Sequence, residues 1–168
     1  MSLTHFNKKN KNVEMADITN KRKTKRLAEA RSIIKIDKNL FQILIKDKSL
    51  FNNLCQTAKI AGIFAAKNTS NQIPLTHQIP LDHISISFKL INEDTISIKG
   101  LIKSKYTTGL EIESLNCVAT ASITIFDMLK SYKKKIVIEK IEILKKRGGK
   151  NNIGWCIYSI RENLQRST

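Results

Sequence analysis

Proline is nearly missing from this chain of 168 residues. Its two copies, Pro74 and Pro80, flank one of only three histidines, His77, in the stretch IPLTHQIPL (73–81). Cysteine is also scarce: Cys55, Cys117 and Cys156 lie far apart, with no CxxC and no Cys/His cluster. That spacing excludes a disulfide framework and a zinc site, so reduced, buried thiols and no metal are expected. No apolar run approaches the roughly 20 residues that span a bilayer, and MSLTHFNKKNKN lacks the apolar core of a signal peptide. A soluble, cytoplasmic protein without a membrane partner follows as the expectation. There is no GxxxxGK[ST] motif, no GxGxxG after a strand and no aromatic RNP motif. Acidic residues are outnumbered, 14 against 30 basic ones, for a net charge of +16. Such an excess suits nucleic acid, an anionic membrane surface or a phosphate-rich small molecule. Joint enrichment in Lys, Asn and Ile gives part of it a purely compositional reading.

Residues 1–25 are polar and basic, with KKNKN (8–12) and KRKTKR (21–26), and read as a partly flexible arm with a short ordered piece around Met15–Ile18. RSIIKI (31–36) has strand character and KNLFQILIK (38–46) that of a short helix. LFNNLCQTAKIAGIFAAK (50–67) spaces Phe51, Leu54, Cys55, Ala58, Ala61, Gly62 and Ala65 as one helical stripe. HISISFKLI (83–91) alternates as a half-buried strand, NED (92–94) turns the chain, and TISIKGLIKSKY (95–106) returns, with a bulge expected at Gly100. A helix over 108–132 follows, opened by Thr108 and Glu111 as a capping box, apolar nearly all round and so expected to be deeply buried. IVIEKIEILKK (136–146) is the last strand. Merging the first two helices gives β-α-β-β-α-β, an α+β ferredoxin-like fold with a four-stranded antiparallel sheet and helices on one face. The catalytic domain is expected over 26–149, with an extension at 150–168 holding Trp155 and Tyr158.

Two prolines hold His77 on a stiff, non-helical loop, which serves either a plain connector or an imidazole placed to bind or move a proton. Asp127 and Lys130, three residues apart, share a helix face. They form either an exposed ion pair or, in apolar surroundings, an acid–base couple that needs a cavity or a partner. Glu111 is accounted for as the capping acid, leaving Glu113 as the better functional candidate. Glu113 and Asp127 lie fourteen residues apart on one face, about 21 Å along the axis at about 1.5 Å per residue. One small site uses both only if two antiparallel copies of the helix meet, which predicts a composite site and an obligate oligomer.

IAGIFAAK (60–67), IPLTH (73–77), TTGLEIESL (107–115), TIFDMLK (124–130) and KKRGGK (145–150) occur in the order and spacing of cyclic pyranopterin monophosphate synthases, the MoaC family. MADIT (15–19) and LAEAR (27–31) agree, so the resemblance covers roughly residues 3–150. It implies a lyase of molybdenum cofactor biosynthesis that needs no cofactor of its own. The substrate is 3′,8-cyclo-7,8-dihydro-GTP, a cyclised dihydro-GTP supplied by a radical enzyme. The products are cyclic pyranopterin monophosphate and diphosphate. The resemblance also implies a homohexamer, a trimer of dimers with sites at the dimer interface. Asp127 and Lys130 match the catalytic pair, and Leu75, Thr76, His77, Ile112, Glu113 and Lys146 match substrate-binding positions. The chain departs from the pattern at Thr76, where cysteine is usual, at Gln78 for proline, at Phe51–Asn52 for a lysine-glycine pair, and at Lys59 for arginine. The alternatives are a basic RNA-binding module on the same fold, with no specific nucleic-acid motif, and a degenerate homologue.

Overall fold

Two aspartates punctuate the first half of the chain. Asp37 accepts the backbone N–H of Asn39 at 2.9 Å and Asp47 that of Leu50 at 2.8 Å, each capping a helix start. In a computed structural model that describes residues 5–7, 11–149 and the backbone of 153–154, these caps open α1 (Lys38–Lys46) and α2 (Lys48–Lys67). The preceding strand β1 (Thr24–Ile36) and the later β2 (His83–Ile91), β3 (Thr95–Tyr106) and β4 (Ile136–Arg147) form an antiparallel sheet in the order β2-β3-β1-β4. A two-residue β5 (Ile153–Gly154) extends it beyond β4. The side chains of 150–168 lie outside the described residues. A single turn, α3 (Thr69–Gln72), occupies the expected polar loop. The long helix α4 (Glu111–Leu129) ends in a 3-10 turn, Lys130–Tyr132. The architecture is α+β and ferredoxin-like, as expected from the element order.

The core lies between the sheet and the two long helices. Ala28, Ala30, Ser32, Ile34 and Ile36 of β1 alternate inward and are buried, as are Ile96, Ile98 and Ile102 of β3. Ser122 donates to Val118 O at 2.7 Å and lies 2.7 Å from Ser32 Oγ, a buried polar tie between α4 and β1. Gly62 lets α2 and α4 approach: a Cβ there would stand 2.8 Å from the Cys117 carbonyl oxygen.

Several expectations need correction. β1 starts at Thr24, earlier than Arg31, because TKRLAEA pairs with β3 along its whole length despite having no β-branched residue after Thr24. Gly100 makes no bulge. It pairs regularly with Ala30 and Ile86, and its missing side chain makes room for Val118, which a Cβ would meet at 2.9 Å. The bulges lie in β4 instead, where Glu139 and Leu144 are extra residues opposite β1. Nor is there a capping box: the helix N-cap is Leu110, with no side-chain cap, because Glu111 turns to Lys146 instead. Glu111–Tyr132 reaches a mean hydropathy of 1.3 and is long and apolar enough to cross a membrane by length and composition, contrary to the reading of the sequence. Its inner face is built into this core, against β1, β3, β4 and α2. Its outer face is not buried, for Ile123 is 59% and Phe126 41% exposed.

Candidate active site

The loop between α2 and β2 is fastened at both ends. Asn116 of α4 reaches Ala65 O at 3.0 Å, Thr69 Oγ1 at 3.2 Å and Gln72 Oε1 at 2.8 Å, tying the end of α2 to the long helix. Ser104 donates to Pro80 O at 2.6 Å, and Asp82 accepts the Lys105 N–H at 2.8 Å. Between these anchors Thr76 donates its hydroxyl to Ile73 O at 2.8 Å, closing the turn before His77. The rigid connector and the positioned imidazole are thus one device. It holds His77 Nε2 buried and without a hydrogen-bond partner.

His77 faces a cavity of about 370 Å³ at the N-terminal end of α4. The cavity wall brings together Leu75, Thr76, His77, Ile112, Glu113 and Lys146, all six of the positions expected to bind substrate. Lys146 is delivered by the Leu144 bulge. Ile143 pairs with Ala30 and Lys146 with Ala28, so two residues three apart share the helix side of the sheet, where a regular ladder would place Lys145. There Lys146 forms an ion pair with Glu111. Beyond it, Gly148 and Gly149 turn the chain at φ of 94° and 87°, values that favour glycine.

Glu113 is only 4% exposed. Burial pushes its carboxyl up to about 7, the nearby Glu111 charge pushes the same way, and its own backbone N–H opposes them. A carboxyl balanced near neutrality can both accept and give up a proton at the pH of the cell. Among the described residues the buried side-chain polar atoms with no partner are His5 Nδ1, His77 Nε2 and Thr107 Oγ1. The first two belong to residues that line this cavity, and Thr107 precedes the lining Thr108. Orphaned buried polar atoms are few in folded proteins and cost about 1–3 kcal/mol each. Two of the three thus stand in the wall of one cavity, open to a polar ligand.

Asp127 and Lys130 lie elsewhere. They pair at 2.6 Å with side chains 65% and 63% exposed, so within one chain they form the open ion pair rather than a buried couple. Neither lines the cavity, as their fourteen-residue and longer separations from Glu113 require. The sequence reading missed His5, Lys21, Thr108 and Glu111 in the wall. Glu111 already had a capping role to explain it. Lys21 and His5 sit in the basic arm, whose charge drew attention away from individual side chains. Phe51 and Asn52 line a separate depression with Cys55 and Lys59. The Cys55 and Cys117 thiols are pushed up by burial, to about 11 and about 12, as fits inert packing residues. Cys156 lies outside the described residues. Among those described, no group of three His, Cys, Asp or Glu side chains could hold a metal ion.

Residues 15–149 match the MoaC family. The chain belongs to that family. It is 37% identical over 149 residues to a cyclic pyranopterin monophosphate synthase of Desulforamulus reducens, covering 89% of this chain and 90% of that protein. A synthase of the same name from Limosilactobacillus fermentum is 39% identical over 149 residues, with the same coverage. The one from Desulfitobacterium hafniense is 34% identical over 168 residues, 100% of this chain and 99% of the relative.

Proposed function

We propose that this chain is a cyclic pyranopterin monophosphate synthase of molybdenum cofactor biosynthesis. It takes cyclised dihydro-GTP into the cavity at the start of α4 and acts as a phosphorus–oxygen lyase that releases diphosphate. The observation that carries this reading is the convergence of Leu75, Thr76, His77, Ile112, Glu113 and Lys146, from three separate segments, on a cavity that also holds two orphaned imidazole nitrogens. Family membership and relatives of one name over nearly the whole chain support the same activity.

The roles follow from the chemistry of each group. His77 bonds the guest through its free nitrogen. Glu113, near the midpoint of its titration, takes hydrogen bonds from a guanine-type edge. Lys146 and Lys21 face phosphate oxygens, with Glu111 holding Lys146 in place. Lys130 exchanges protons, and Asp127 orients its ammonium. For these last two to reach the guest, a second copy must lay the end of its α4 against the cavity. The outer surface of the helices supports such a contact, since Ile60 and Phe64 of α2 and Ile123 and Phe126 of α4 expose large apolar groups. A dimer closed this way, repeated as a homohexamer in the cytoplasm and fed by the radical enzyme that makes the substrate, completes the reading.

Incubating the purified protein with the cyclised intermediate and measuring diphosphate and product tests it; intact substrate after long incubation overturns it. Among the described strands the RNA-binding alternative finds no aromatic platform, because Phe88 packs against the core and Tyr106 sits at a strand end beneath Lys23, 5.8 Å away.

A further inference from the structure

The basic N-terminal segment is not merely an arm. Phe6 and Val13 form an antiparallel bridge, Asn7 N–H donates to Asn12 O at 2.9 Å, and Glu14 N–H donates to His5 O at 3.1 Å. The Asn7 side-chain amide adds a bond to Glu14 Oε2 at 3.0 Å. This small hairpin has little core of its own. Phe6, Val13 and Met15 are all exposed, and a two-stranded ribbon alone is marginal in water. It meets the body of the protein through His5 and Ala16, and both meet it at the wall of the candidate active site, joined there by Lys21. The hairpin register thus fixes the backbone of His5 at the cavity while its side chain supplies the one imidazole besides His77 in that wall.

The His5 ring is not there to satisfy a neighbour. Its Nδ1 is buried and has no partner, the same condition as Nε2 of His77 in the same cavity. A wall that served only to exclude water would do so at lower cost with an apolar side chain, because a buried imidazole nitrogen without a bond is destabilising. We propose that His5 is a second substrate-contacting imidazole, forming a hydrogen bond from Nδ1 to the guest bound in this cavity. The inference rests on the reading of this cavity as the substrate site, and it extends that reading to a segment that the sequence marks only by its charge.

The contact is specific to one ring nitrogen, which makes it separable from a wall of the right shape. Asparagine places its amide nitrogen where Nδ1 stands, whereas glutamine reaches the position of Nε2. With cyclised dihydro-GTP as substrate, His5→Ala and His5→Phe are expected to lower kcat/KM at least tenfold, about 1.4 kcal/mol of transition-state binding. His5→Asn is expected to stay within about threefold of the wild type, and His5→Gln to fall with the alanine variant. Wild-type turnover from His5→Phe overturns the inference, and so does an equal loss in the Ala, Phe, Asn and Gln variants, which would mean a packing role. Imidazole resonances of the unmutated protein are followed alongside as GTP is added. A response at both His5 and His77 without any turnover of the cyclised substrate keeps His5 as a contact and overturns the proposed activity. A response at His77 alone overturns the inference, and silence at both overturns the inference and the site together.

Discussion

The two ends of α4 are opposites. At its start, Glu113 is sunk in the protein with its carboxyl raised to about 7, Glu111 is engaged by Lys146, and the α2–β2 loop, β4 and the N-terminal hairpin close around them. At its finish, Asp127 and Lys130 pair in the open among exposed Ile123, Phe126 and Met128. One helix therefore carries a charged cluster that its own chain encloses and a charged pair that its own chain leaves bare. The contrast says that burial, and not sequence, decides which charged pairs become chemistry here. An aspartate–lysine pair is ordinary in water and worth little, and it acquires force only when something covers it.

The largest effect is expected where the ends are made to depend on each other. Lys130→Ala and Glu113→Gln should each cut turnover by about 10²-fold or more, the usual scale of a lost acid or base. If one end from each copy forms a site, mixing and reassembling the two dead variants in equal amounts restores about a quarter of wild-type activity, because mixed dimers keep one intact site. No recovery after verified subunit exchange breaks the comparison. A second, smaller break comes from Ile123→Asp with Phe126→Asp, which should lower the mass seen in light scattering to that of a smaller species. An unchanged mass would show that this apolar surface joins no copies.

The pH dependence sharpens the buried end. A carboxyl raised in the folded chain holds a proton that the unfolded chain, near 4.5, has already lost. Stability therefore falls as pH rises between about 4.5 and about 7, and the cost is fully present above that window. Glu113→Gln should leave the melting temperature unchanged near pH 4 and raise it above pH 8, by at most about 3 kcal/mol of stability. An equal gain at both pH values would mean that the charge is not what the burial opposes. The smallest effect is expected midway along the helix. Ser122→Ala removes the tie to Ser32 and should cost about 1 kcal/mol in chemical denaturation, with kcat unchanged.

Much of this was legible. The alternation of HISISFKLI and TISIKGLIKSKY marks β2 and β3 to the residue, and KNLFQILIK marks α1, because period and boundary signals agree there. The six motif residues of the cavity wall were legible through family likeness, and the distance between the ends of α4 through helix geometry alone. What stayed hidden depends on contacts far along the chain. Glu111 matches a capping box locally, yet a lysine thirty-five positions later takes it. Gly100 resembles a bulge until Val118 of another element fills its space. His5 carries no local pattern at all and gains meaning only when the hairpin returns it to a cavity formed mostly by residues seventy or more positions away.

The surplus residue in β4 has a consequence for how the chain tolerates change. Leu144 lies opposite no partner of its own, so the residues on either side of it keep successive mates on β1 whether or not it is there. Excising it would let Lys145 and Lys146 keep their mates, Glu29 and Ala28, and would merely straighten the strand. Excising Ile143, its neighbour, with Leu144 sliding into the vacant step, would keep the lysines aligned too, at the expense of the core contact. Loss of a residue at this point is tolerated, while a residue added between Lys145 and Lys146, past the Glu29 pair, would turn the ammonium group outward and leave Glu111 without its counter-ion.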